Sequence, residues 1–218
     1  MNNTNTIKIH DKGASIYDSQ VKDYESHMHE VLFGMYYEYI KQGDNLLDIG
    51  IGTGLSSFLF AKNGLAVFGM DASEEMLKEC RKKNFTEELK QHSIAEIPLP
   101  YADVTYNNII CCGVFHFFSD IAPVIRDVTR ILKRKGRYAF SIALLTEKDF
   151  EGNNDKLREY IESPTKYGIS ICRHSDNYIK MILNKNRLGI QKEQKILADS
   201  GDKDTGDIIF KIYIVQKS

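Results

Sequence analysis

Two carboxylates and three glycines carry the clearest chemistry in this chain. The glycines alternate in Gly50-Ile51-Gly52-Thr53-Gly54, Asp48 lies just ahead of them, and Asp71 follows further along. Glycines at this spacing let a ligand meet backbone with no Cβ in the way, and a helix that starts there presents unpaired N–H groups. A carboxylate about 20 residues past such a turn accepts both hydrogen bonds of a ribose diol. Asp48 repels a pyrophosphate and suits a ligand that carries an ammonium and a sulfonium group. Leu55 stands where a dinucleotide turn, G-x-G-x-x-G/A, has its third small residue. The ligand these residues imply has an adenosine half and no pyrophosphate.

Alternating strands and helices must hold these residues in place. Leu46–Ile49 and Ala66–Met70 read as buried strands on either side of a helix over Leu55–Asn63, which Asn63-Gly64 stops, giving a βαβ unit. Ser73 caps a following helix with Glu74 and Glu75 in its first turn and Met76, Leu77 and Cys80 facing inward. Gln91–Ile94 reads as a third strand, Asn107–Cys112 as a fourth buried on both faces, and Arg137–Leu145 as a fifth. The stripe from Ile121 to Leu132 predicts a helix behind the cap Ser119, with Lys133, Arg134, Lys135 and Gly136 closing its carboxyl end. Upstream, apolar residues spaced three and four apart predict one helix over Val21–Gln42, preceded by a frayed tail. Glu147–Asp176 departs from βα regularity, with a short helix over Asn154–Glu162 and a strand pair around Tyr167–Arg173. A helix over Tyr178–Asn186 and strands at Ile190–Leu197 and Ile208–Val215 complete the chain. The four aspartates between those two strands fail the EF-hand spacing and read as a solvated loop.

The 218 residues suit one domain, and 42% apolar with 27% charged residues is an ordinary globular composition. A net charge of −1 gives no broad electrostatic footprint for nucleic acid, and no apolar run is long enough to cross a bilayer. The N-terminus lacks the apolar core of a secretory signal, and Cys80, Cys111, Cys112 and Cys172 form no C-x-x-C pair. Reduced thiols in a cytoplasm are the expectation, and no His, Cys or carboxylate spacing predicts a metal site.

Asp48-Ile-Gly50-Ile-Gly52-Thr-Gly54 with Asp71 resembles the first motif of class I S-adenosylmethionine-dependent methyltransferases, and Asp71-Ala72-Ser73-Glu74-Glu75-Met76-Leu77 resembles their second. Ala95-Glu96-Ile97-Pro98-Leu99-Pro100 resembles the family's Asp-Ala-Glu-x-x-Pro stretch, with Ile94 in place of the aspartate that receives the adenine amino group. The likeness spans roughly residues 45–145. It implies an α/β fold, a three-layer αβα Rossmann-like sandwich whose mostly parallel seven-stranded sheet ends in an antiparallel C-terminal hairpin. One domain, 1–218, would then comprise a tail and lid helix (1–42), a cofactor-binding core (45–145), a substrate-covering insertion (147–176) and a helix with the hairpin (177–218). The implied contacts to S-adenosylmethionine are Asp48, Gly50, Gly52, Gly54, Asp71 and Cys112, with Ala72 and Met76 beside the base and Ala95 or Glu96 reading it. Tyr17 and Tyr24 are aromatic candidates to border the sulfonium.

The acceptor side is less determined. No Asn/Asp-Pro-Pro-Tyr and no aspartate at Cys112 or Gly113 follows the fourth strand, which leaves a resemblance to the small-molecule branch often called type 11. In that branch a histidine is common at the position of His116, as a base, as a substrate contact or only as packing. Tyr167, Arg173 and His174 are the polar candidates of the insertion, although Arg173 and His174 also suit the start of a helix. The implied activity is methyl transfer to a small molecule. A cofactor-binding regulator without catalysis and a nicotinamide-dependent oxidoreductase are the alternatives, and oligomeric state is not readable.

Overall fold

The computed structural model describes residues 4–150, 158–165, 168–198 and 208–218. Its centre is a parallel set of strands: β1 (Asn45–Ile49), β2 (Ala66–Asp71), β3 (Thr86–Gln91), β4 (Tyr106–Cys111) and β5 (Leu132–Leu144). Register places Leu47 between Phe68 on β2 and Ile109 on β4. β9 (Ile208–Lys217) runs antiparallel along β5, and β8 (Leu188–Ala198) pairs antiparallel with β9. The order β3-β2-β1-β4-β5-β9-β8 is the expected sheet with its C-terminal hairpin. β5 is 13 residues long and outruns β4, whose pairing ends at Phe140, so the β4-side edge of β5 is open at Ala143 and Leu144. There β7 (Ser170–His174) adds in parallel and carries β6 (Tyr160–Pro164), which raises the sheet to nine strands.

Alternate side chains of the central strands point to opposite faces, and both faces are apolar. Leu47, Ile49, Ile109 and Cys111 pack against α6 (Ala122–Ile131) and α7 (Asp176–Lys185), through Val124, Ile125, Val128 and Ile179. Leu46, Val67 and Ile110 pack against α3 (Met28–Tyr36), α4 (Leu55–Lys62) and α5 (Glu74–Lys82), through Leu32, Phe60 and Leu77. Each such side chain contributes roughly 1.5–3 kcal/mol by leaving water. Tyr138, Phe140 and Tyr213 stack in series at 4.9 and 5.2 Å across β5 and β9.

Several elements differ from the sequence expectation. The supposed tail holds two helices, α1 (Thr4–Gly13) and α2 (Tyr17–Asp23), joined by a single turn at Ala14–Ile16. The single helix expected over Val21–Gln42 is broken, because Glu25 adopts a φ of 49° and the chain turns before α3. The third strand is Thr86–Gln91 rather than Gln91–Ile94; as an edge strand it is mostly polar and lacks the apolar run that marks a central strand. α6 starts after Asp120, whose carboxylate accepts from the Ala122 N–H, rather than at Ser119. It ends at Ile131, so Lys133 to Lys135 belong to an irregular start of β5 and do not cap the helix; Lys133 instead donates to Asn107 Oδ1. Residues 160–162, expected to be helical, form β6, while 154–157 and the aspartate-rich loop 199–207 lie outside the described residues.

Candidate functional site

The carboxyl ends of β1, β2 and β4 meet at one edge of the sheet, where a parallel α/β fold places its ligands. The Gly50 and Ile51 N–H groups donate to Met70 O at 2.8 and 3.0 Å, which ties the glycine turn to the end of β2. Gly50, Gly52 and Gly54 all have positive φ, at 74°, 55° and 88°. Their surroundings differ. A Cβ on Gly50 would come within 2.4 Å of Val114, and one on Gly54 within 2.6 Å of Phe85, whereas one on Gly52 would project into open space. Asp71 faces this turn from β2, with Oδ2 accepting from the Gly52 N–H and Oδ1 from the Ser73 N–H, both at 2.8 Å. Ser73 in turn caps α5 by accepting from the Met76 N–H.

These groups line a cleft of about 1010 Å³ that opens to solvent. Its roof is the N-terminal segment, which supplies Thr6, Ile7 and His10 from α1 and Tyr17 and Val21 from α2. Two polar latches fasten that roof. Asp11 accepts from the Ser73 hydroxyl at 2.5 Å, and Asp18 accepts from the Thr53 hydroxyl at 2.5 Å while pairing with Lys83. Both hydroxyls belong to the loops that carry Asp71 and the glycine turn.

The electrostatics separate two kinds of group. Asp48 is fully buried beneath the turn, and among the described residues neither carboxylate oxygen has a partner within hydrogen-bond distance. Burial pushes it up to about 7; the neighbouring Ser57 hydroxyl draws it back part of the way, and the Asp71 charge adds to the rise. Burial also raises Asp71, opposed by the N–H bonds from Ser73 and Gly52 and by the charge of His10. Tyr17 and Cys112 are pushed up to about 12, chiefly by burial, so both stay neutral at pH 7. His116 packs against Phe117 and Phe210 with Nδ1 sealed and unpartnered, and burial holds it down to about 3.

Gly50, Gly52, Asp71, Ala72, Met76, Cys112 and Tyr17 line the cleft, as the sequence implied. Asp48 lies under it and Gly54 packs the turn against Phe85 and Cys80. Tyr24 points to solvent, because the chain leaves the helix there. Ala95 and Glu96 are exposed beyond the rim, and Ser93 and Ile94 line the wall instead, since β3 ends earlier than expected. His116 stays outside the lining, in the layer below Phe117. Arg173 is held within the β6–β7 hairpin region by Ser163 and Asp149, and His174 is buried with Nε2 bonded to Ser119 O. Neither reaches the cleft, and Tyr167 lies outside the described residues. Sequence reasoning missed Thr6, Ile7 and His10; their spacing of three and four on one helix face was the available signal.

A glycine turn after β1, a carboxylate after β2 and an open cleft between them follow the layout of a Rossmann-like fold. Residues 47–140 match the family described as Methyltransferase domain. An uncharacterized methyltransferase of Bacillus subtilis, YcgJ, is 33% identical over 43% of this chain and 38% of its own length. The 27-O-demethylrifamycin SV methyltransferase of Amycolatopsis mediterranei is 28% identical over 55% of this chain and 47% of its own. The chain thus spans less than half the length of these relatives. A crystal structure of a SAM-dependent methyltransferase from Methanosarcina mazei superposes with a TM-score of 0.68 at 17% identity, covering 84% of this chain and 96% of that one. The likeness to methyltransferases thus covers residues 47–140, which hold the glycine turn and Asp71, and the solved structure shares the fold.

Proposed function

We propose that the protein transfers a methyl group from S-adenosylmethionine to a small-molecule acceptor. The observation that carries this reading is the pairing of Asp71 and Gly52 across a cleft that sits on the orphaned carboxylate of Asp48. The residues present fit the cofactor. Asp71 has acceptor capacity left for a ribose diol, Gly52 leaves the cleft floor open, and Ala72, Met76 and Ile94 offer an apolar wall for a base. A buried anion without a partner is stabilised by a cation, which an amino acid ammonium supplies directly or through water. When bound, S-adenosylmethionine supplies a methyl group already activated on a sulfonium.

The protein's part is then alignment and exclusion of water, and alignment alone contributes ~7–11 kcal/mol in favourable cases. The roof of α1 and α2 closes the cleft, while the neutral Tyr17 and Cys112 offer no competing nucleophile at pH 7. The rifamycin relative is named for a small-molecule acceptor, which supports the same class here. Among the described residues no helix is long and apolar enough to cross a membrane, and the four free cysteines support a reducing, cytoplasmic setting. No observation favours the regulator or nicotinamide readings. Isothermal titration with S-adenosylhomocysteine tests the proposal: saturable binding that Asp71→Ala abolishes supports it, and the absence of binding overturns it. Turnover of methyl-labelled cofactor against fractionated metabolites, with mass spectrometry of the product, then identifies the acceptor.

A further inference from the structure

We propose that His10 is the catalytic base of this cleft and that the acceptor is an uncharged aromatic hydroxyl compound. The inference rests on the methyl-transfer reading and extends it to the acceptor half of the site. His10 Nδ1 lies 2.8 Å from Thr6 O one turn earlier on α1. A carbonyl oxygen only accepts, so Nδ1 carries the proton and Nε2 of the neutral ring keeps a free lone pair. Among the described residues no other hydrogen bond engages this ring. The imidazole lines the cleft, edge-on to Phe117 at 5.3 Å and 6.5 Å from the Tyr17 ring.

The rest of that wall narrows the acceptor. Asp71 is the one carboxylate lining the cleft among the described residues, and no lysine or arginine lines it. A carboxylate or phosphate on the acceptor would find no counterion, and an ammonium would meet only a carboxylate already engaged by the glycine turn. Val21, Met28, Phe117 and Phe118 form an apolar and aromatic surface suited to a flat, neutral ring. The other titratable groups do not serve as the base. Tyr17 and Cys112 hold their protons, and burial weakens the basicity of His29 and His116. A phenol O–H, with a pKa near 10, gives up its proton to an imidazole far more readily than a water-like hydroxyl near 15.7 does.

The step balances as follows. The phenol O–H proton passes to His10 Nε2, the oxygen pair forms the O–CH3 bond, and the S–CH3 bond breaks with its pair returning to sulfur. The products are an aryl methyl ether, S-adenosylhomocysteine and an imidazolium, which sits within the field of Asp71 and later releases its proton to water.

The test uses the full chain with His10→Ala and His10→Gln, methyl-labelled S-adenosylmethionine, and three acceptors: 1-naphthol, 2-naphthol and a nitrophenol ionised at the assay pH. S-adenosylhomocysteine affinity serves as the check that the roof still closes. The expected result is a loss of roughly 10²–10⁴-fold in kcat/KM for the naphthols, about threefold or less for the nitrophenolate, and partial rescue of His10→Ala by free imidazole. Equal losses on all three acceptors, or none on the naphthols, overturn the role of His10. Failure of the wild-type protein to methylate any phenol while it binds S-adenosylhomocysteine overturns the acceptor class. Failure to bind S-adenosylhomocysteine at all overturns the methyl-transfer reading beneath both.

Discussion

Replacing Asp48 by Asn isolates the charge that the fold buries under its own cofactor cleft. In the folded protein burial raises this carboxyl from 3.8 to about 7, and it has no hydrogen-bond partner. The folded state therefore keeps a proton that the unfolded chain releases, so the stability this group contributes is fully present below the unfolded value and falls as pH rises through the folded one. A shift of about three units at about 1.4 kcal/mol each gives a loss on the order of 4 kcal/mol between pH 4 and pH 7. Asn has the same shape and no charge. Near pH 4.5 an amide and a protonated carboxyl carry similar burial costs, so the two proteins should melt together. At pH 8 the variant should be more stable, by ~8–16 °C in Tm at ~2–4 °C per kcal/mol for a chain of this size. Thermal melts of the unliganded proteins across this pH range measure the divergence. S-adenosylhomocysteine should invert the order, because its ammonium loses a counterion in Asp48→Asn and affinity drops by roughly tenfold or more. Parallel melts whose separation does not change with pH would refute the argument, since they would mean that the carboxyl does not titrate between its unfolded and folded values.

Asp71→Ala removes the acceptor of two backbone N–H bonds and of the proposed ribose diol. With charge-assisted bonds at about 1.5–3 kcal/mol each, S-adenosylhomocysteine affinity should fall more than roughly 100-fold by calorimetry, and Asp71→Asn should fall between. Gly52→Ala and Gly54→Ala should separate binding from folding. Gly54 has a φ of 88° and its Cβ would meet Phe85 at 2.6 Å, so Gly54→Ala should lower stability by about 2–4 kcal/mol in urea. Gly52→Ala adds a Cβ to open cleft, so it should cost only about 1–2 kcal/mol in folding while weakening cofactor binding strongly. Val104 is 54% exposed and has a φ of 52°, a conformation costing about 1–3 kcal/mol for a branched residue. Val104→Gly should raise stability by roughly 0.5–2 kcal/mol after the entropy of glycine is subtracted, with S-adenosylhomocysteine affinity unchanged.

The parts of the molecule that were legible in sequence are those specified by local pattern. Leu46–Ile49 and Ala66–Met70 are apolar on both faces because both faces of β1 and β2 are covered, and the glycine turn between them needs positive φ whatever surrounds it. The central strands β4 and β5 followed from such runs as well, while the seven-stranded frame was implied by the resemblance. β3 did not, because an edge strand reading Thr-Glu-Glu-Leu-Lys-Gln is as polar as a loop, and its earlier end leaves Ser93 and Ile94, rather than Ala95 and Glu96, lining the cleft. β6 and β7 were blurred for a different reason: they add where β5 continues past β4 and leaves an open edge at Ala143 and Leu144, a tertiary circumstance that no local window contains.

The roof of the cleft shows the same limit most sharply, and it carries the proposed base His10. α1 has 10 residues and α2 has 7, too short to be stable in water on their own, and neither has an apolar stripe strong enough to announce it. What holds them is polar and distant in sequence: Asp11 to Ser73, Asp18 to Thr53 and Lys83, and Asn5 to Gly168 O. Two of these partners flank Asp71 and the glycine turn, so the helices form against the loops that a cofactor orders. Ser73 and Thr53 thus tie the roof to the loops that line the cleft. His10, fixed on α1 by Thr6, lines the cleft from that roof.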